Sequence, residues 1–177
     1  MLIPILLVAA AVLLALVLFI ATRPSDFRVS RSMTMAAPPE AVFAQINDFH
    51  RWDAWSPWAK LDPDAQTAFH GAESGEGAIF GWSGNKQVGE GGMTITESRP
   101  HELIRIKLAF LRPFKATSTA EFTFRPAGEG TEVTWTMFGN NNFMAKAVGL
   151  FMDCDAMVGK QFEQGLASIR AIVETPV

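Results

Sequence analysis

The chain has 177 residues, of which 49% are hydrophobic and 19% charged, enough for one domain with a sizeable core plus an appendage. A net charge of −3 and an isoelectric point near 5.6 argue against nucleic-acid binding, which wants a basic face. A lone cysteine, Cys154, excludes an intrachain disulfide and a thiolate zinc cluster, and the absence of tyrosine excludes any mechanism that needs a phenol.

From Met1 to Thr22 there is no charged side chain, and only Pro4 and Thr22 interrupt the apolar run. At about 1.5 Å per residue the run spans roughly 33 Å as a helix, enough to cross a bilayer core. A cleaved signal peptide is the competing reading. Against it, no Lys or Arg forms a leading basic region, the apolar run exceeds the usual length of about 15 residues, and Ala21-Thr22-Arg23 is a poor cleavage site. The expectation is therefore a single-pass anchor over 1–22 followed by a soluble domain over 23–177. Arg23, Arg28 and Arg31 follow the span, which by the positive-inside bias predicts a cytoplasmic domain.

Residues 27–35 alternate, with Phe27, Val29, Met33 and Met35 opposite Arg28, Ser30, Ser32 and Thr34, as a half-buried strand requires. Arg31 falls on the apolar face. Ala36-Ala37-Pro38-Pro39-Glu40 stops that strand and starts a short helix, with Pro39 suited to the first turn and Glu40 to the positive end of the helix dipole. Asn47-Asp48 ends it, and a second short helix or turn carries Trp52, Trp55 and Trp58. Strand-like stretches follow at 65–70 and 77–83. Gly84-Asn85 then signals a hairpin into a strand over 86–98, with Gly89, Gly91 and Gly92 as bulge positions. Three more strands are predicted over 102–110, 116–126 and 131–138. From Asn142 to about Glu174 the pattern becomes helical, broken or bent near its first third. Phe151, Met157 or Val158, Phe162, Leu166, Ile169 and Ile172 or Val173 form its apolar stripe. Seven strands, two early short helices and one late long helix predict an α+β fold in which the long helix packs across one concave antiparallel sheet.

That order resembles the helix-grip fold of the START-like superfamily, also called SRPBCC proteins, and the local words agree. Arg31-Ser32-Met33-Thr34-Met35-Ala36-Ala37-Pro38-Pro39-Glu40-Ala41-Val42-Phe43 resembles its opening signature of a strand, Ala-Pro and Val-Phe. Asp48-Phe49-His50-Arg51-Trp52-Asp53-Ala54-Trp55-Ser56-Pro57-Trp58 resembles its Trp-rich second helix. Gly139-Asn140-Asn141-Asn142-Phe143 and Gly149-Leu150-Phe151-Met152-Asp153 are similar to a bacterial polyketide cyclase-like branch. The resemblance covers about residues 27–174. It implies a seven-stranded curved sheet wrapped around the C-terminal helix, with a cavity between them. It does not decide among lipid carriers, cyclases, receptors and chaperone regulators, all of which use this fold.

The expected lining of such a cavity is Trp55, Trp82, Ile106, Leu108, Phe122, Trp135, Phe151, Val158 and Phe162. Composition by itself favours a filled core, since every domain of this size needs such residues. Arg31 and Glu97 interrupt the apolar faces, Glu97 by alternation with Met93 and Ile95. Each reads either as a cavity residue that orients a polar ligand group or as a member of a structural ion pair. The ion pair is favoured, because an unpaired inward charge costs several kcal/mol. The three Trp residues of the second helix read as rim packing, with cavity gating or membrane contact as alternatives.

No catalytic set emerges. His50, His70 and His101 are scattered and lack an acidic partner at ligand spacing. Asp153 and Asp155 diverge by about 200° on a helix and cannot both hold one ion, and they would raise rather than lower the Cys154 pKa. No metal and no cofactor is expected. The leading expectation is a membrane-anchored domain that binds a hydrophobic small molecule or lipid. A cyclase or aromatase-like enzyme and a protein-interaction or chaperone-like regulator are the alternatives. An apolar cavity favours the first, two converging ionisable groups the second, and a filled core with an exposed apolar patch the third.

Overall fold

The computed structural model describes residues 2–150 and 153–175. Phe151, expected to line a cavity, lies outside the described residues. Helix α1 (Leu2–Ala21) is apolar along its whole length. From position 3 to position 19 every side chain is exposed, and only Ile20 is buried. Strand β1 (Asp26–Met35), helix α2 (Pro39–Ile46) and the single turn α3 (Trp52–Trp55) follow, with short 3₁₀ turns on either side of α3. Six strands complete the sheet: β2 (Gln66–Gly71), β3 (Ala78–Ser83), β4 (Glu90–Arg99), β5 (Leu103–Arg112), β6 (Ala116–Ala127) and β7 (Gly130–Asn140). Helices α4 (Phe143–Val148) and α5 (Cys154–Glu174) end the chain.

The seven strands form one antiparallel sheet in the order β1-β7-β6-β5-β4-β3-β2. Register aligns the inward residues in rows across it. Arg31 faces Trp135, Trp135 faces Phe122, and Phe122 faces Ile104. A second row runs from Val29 through Met137, Ala120 and Ile106 to Ile95. Alternation puts these side chains on one surface, and burying that surface against α2, α3 and α5 makes the core.

One boundary differs from the sequence expectation and one break agrees with it. β4 starts at Glu90 rather than 86, because Asn85 organises residues 84–89 into a loop by accepting the Gln87 backbone N–H at 2.7 Å. The C-terminal segment is broken near its first third, as its pattern predicts, into two helices. Asn142 caps α4 by accepting the Ala145 backbone N–H at 2.8 Å, and Asp153 caps α5 by accepting that of Ala156 at 2.9 Å. Each asparagine or aspartate satisfies an N–H that the start of a helix leaves unpaired, so each marks a separate beginning.

Helix α5 runs alongside β1 in the same sense. Arg31, midway along β1, meets its first turns, and Glu174 near its end accepts the Ala36 backbone N–H at 2.7 Å. Gly159 permits this approach: a Cβ there would fall within the Arg31 guanidinium. α5 therefore covers the sheet from the middle of β1 toward Met35. The other end of the concave face, where α1 leaves, extends past the start of α5.

Candidate functional site

The concave face has a filled half and an open half. In the filled half Trp135 lies flat on Phe162, ring centroids 4.1 Å apart and 8° from parallel. Phe122 sits 4.7 Å from Trp135, and Trp55 packs edge-on at 5.7 Å. With Ile106, Leu166 and Ile169 these side chains are almost fully buried. Five of the expected lining residues, Trp55, Ile106, Phe122, Trp135 and Phe162, thus meet as one packed cluster. The Trp52 and Trp55 indoles tie into α2 by donating to the carbonyls of Ile46 (2.9 Å) and Gln45 (3.0 Å). Trp135 Nε1 is buried with no acceptor among the described residues.

Trp82, Leu108 and Val158 are half-buried and belong to the open half. Trp82 lies against Gly91, where any side chain would collide with the indole ring, and donates from Nε1 to the Val88 carbonyl at 3.0 Å. Phe80 stacks beside it with centroids 6.2 Å apart, and Phe110 meets it edge-on at 6.0 Å. Met93 and Leu108 pair directly across β4 and β5 to continue the wall, and Ser118 pairs with Leu108. This is an apolar surface with one hydroxyl, and two open depressions lie at its end of the sheet. One, of about 520 Å³, is lined mainly from the outer face, by Arg28, Thr117, Thr119 and Phe138, with Phe27, Ser118 and Gly139 also lining it; the other, of about 360 Å³, lies at the β5–β6 turn between Phe110, Leu111 and Lys115. Phe80 and the Gly91 seat escaped the sequence reading, although the alternation Ala78-Phe80-Trp82 carried the signal for the first.

Arg31 stands at the boundary between the halves. Its Nη2 donates to Asp155 Oδ2 and its Nε to Glu163 Oε1, both at 2.9 Å, and its side chain keeps 25% exposure. Hydrogen bonds to Asp155 and then Glu163 hold the guanidinium pKa above its ordinary value, and the bond from Arg31 draws the Asp155 carboxyl below the usual range. The arrangement clamps α5 to β1.

Glu97 corrects the alternation argument. A bulge between Ile95 and Glu97 inserts Thr96 into β4, so Glu97 pairs with Arg105 and turns to the outer face. There it meets Arg105 directly and Arg99 at 3.2 Å, while Arg105 also holds Glu121 at 3.0 Å. Glu97 is a link in a surface ion row and does not point toward the concave face. The histidines remain dispersed: His50 stacks on Phe69 at 4.1 Å, and His101 lies 3.7 Å from Glu40.

The fold and the concave wall can be set beside known proteins. A family profile described as "Polyketide cyclase / dehydrase and lipid transport" matches residues 26–174. The chain belongs to this family. The match to the polyketide cyclase/dehydrase and lipid transport family begins at Asp26, so α1 lies outside it. No curated protein matched the sequence. Among solved structures, a Chromobacterium violaceum protein shares 17% identity, with 86% of this chain and all of that one covered and a TM-score of 0.59. The Aha1 dimer from Colwellia psychrerythraea shares 15% identity over 84% of this chain and 96% of its own, TM-score 0.59. The di-domain ARO/CYC protein StfQ of steffimycin biosynthesis shares 13% over 85% of this chain and 51% of its own, TM-score 0.62. At such identities these likenesses establish the helix-grip fold that the family shares, and no more.

Proposed function

We propose that this family member is anchored in a membrane by α1 and binds a hydrophobic small molecule or lipid on the open half of its concave face. The carrying observation is the apolar wall of Trp82, Phe80 and Leu108, which stays half-exposed around a buried Met93 while the neighbouring half of the same face is packed shut. Apolar side chains left uncovered beside a well-filled core suit an apolar occupant. The adaptable thioether of Met93 and the rigid Trp82 ring fit a ligand of aliphatic or fused-ring character. Arg31, on the rim of this wall, would orient a polar end only by sharing its guanidinium with Asp155 and Glu163. The length of α1 and the packing of its last turn on α4, where Lys146 Nζ donates to the Ala21 carbonyl at 3.5 Å, favour a retained anchor over a removed leader. Arg23, Arg28 and Arg31 after the span favour a cytoplasmic domain.

Native mass spectrometry of the full chain released from its host membrane tests this reading. A stoichiometric hydrophobic adduct is expected, and it should be lost in Leu108→Glu, which puts a charge on the wall. Bare protein after challenge with lipid extract would overturn the proposal. A second reading, a protein-interaction module, is favoured by the packed half of the concave face together with exposed apolar residues such as Phe69 and Ile79 on the β2–β3 edge. It predicts a partner whose binding is weakened by Phe69→Ser and indifferent to Leu108→Glu.

A further inference from the structure

We infer that the β5–β6 hairpin and α4 dock on the anionic bilayer that α1 spans, which seats the open end of the concave face against the headgroups. This deepens the anchored, lipid-binding reading above and rests on it. Register supplies the geometry. Asp26 of β1 pairs with Asn140, and Gly139 pairs with Ser118, so the start of β1, the end of β7 and the start of β6 lie at one end of the sheet. α1 ends five residues before β1, at Ala21, and contacts α4 on this side. β6 begins at Ala116, two residues beyond Ser118 in the same direction, and Phe114 lies in the turn beyond it, so the hairpin tip projects alongside the exit of α1.

What projects is apolar and basic. Phe114 is 60% exposed, Leu111 48%, Phe143 47% and Met144 51%. Single aromatic and aliphatic residues on a protruding turn and a short helix match the shallow insertion of an interfacial element better than a protein interface, which buries a contiguous patch. Arg23, Arg28, Lys115 and Lys146 lie at this end, and none makes an ion pair among the described residues. The carboxylates there include Asp26, Asp153, which caps α5, Asp62, which accepts the Asn85 backbone N–H, and Glu90, which is paired with Arg112. The unpaired balance is positive, complementary to anionic headgroups.

The test is spin-label depth measurement on the full chain, with Cys154→Ser as background, in vesicles of phosphatidylcholine with or without phosphatidylglycerol. Labels are placed through Leu14→Cys in α1, Phe114→Cys, Met144→Cys and, at the opposite end of the sheet, Glu129→Cys. The proposal expects bilayer oxygen to reach labels 14, 114 and 144 in the anionic vesicles, with label 129 fully aqueous. Lys115→Gln and Lys146→Gln should each weaken the docking equilibrium about fivefold. An inserted label 14 with aqueous labels at 114 and 144 overturns the docking and leaves the anchor standing. An aqueous label 14 overturns the anchor itself, and the docking with it. Insertion at 114 that ignores both lysines and lipid charge would overturn the electrostatic argument.

Discussion

Gly159 and Arg31 show how much one missing methyl can decide. The guanidinium occupies the space a Cβ would need, so Gly159→Ala must expel it and break both carboxylate bonds. Overpacking of this kind costs about 1–3 kcal/mol, and the loss should show as a lower urea midpoint that Arg31→Ala in the same chain partly restores. The clamp also carries a pH signature. The folded-state pKa of Asp155 is depressed by its bond from Arg31, so the contribution is present above the ordinary Asp value of about 4 and disappears as pH falls through the lower folded value. Acid titration of stability should therefore flatten in that range for Asp155→Asn, and an unchanged slope would deny Asp155 the role. Arg31 was legible in the sequence as an odd charge on an apolar face, and its partners were not. Asp155 and Glu163 lie more than a hundred residues away, and no local pattern names them. For Glu97 the favoured ion pair is present but the inward facing is wrong, since an inserted Thr96 reverses the facing of everything after it and carries no compositional mark.

Elements were easier to read than contacts. The strands alternate because one face is buried, so periodicity exposed the sheet; α5 likewise showed its stripe. Within that stripe Leu166 is fully buried and Ile172 is 37% exposed. Leu166→Ala should cost about 2–5 kcal/mol and Ile172→Ala no more than about 0.5, as measured by chemical denaturation. Equal losses would mean that α5 packs differently. The division between α4 and α5 was expected from the pattern as a break near the first third of the segment, yet the distribution of filled and open core was hidden. Trp135 and Leu108 look alike as inward apolar residues of strands two apart in the sheet. Only the path of α5, set by its approach to β1, covers one and leaves the other half-exposed.

At the scale of the molecule, α1 and the domain are nearly independent in their burial. Ile20 is the one α1 residue buried among positions 3–21, so removing residues 1–22 should leave the thermal midpoint of the domain within a few degrees of the full chain. Calorimetry would show it, and a large drop would mean that α1 contributes to the fold itself. The disposition of the tryptophans gives the protein a built-in optical reporter. With no tyrosine in the chain, near-ultraviolet emission comes from five indoles. Four of them, Trp52, Trp55, Trp58 and Trp135, are linked by ring contacts into one interior group. Trp82 stands apart on the open wall, so a guest arriving there should shift the colour of one emitter against a constant background, and Trp82→Phe should leave the protein folded but spectrally blind to its ligand.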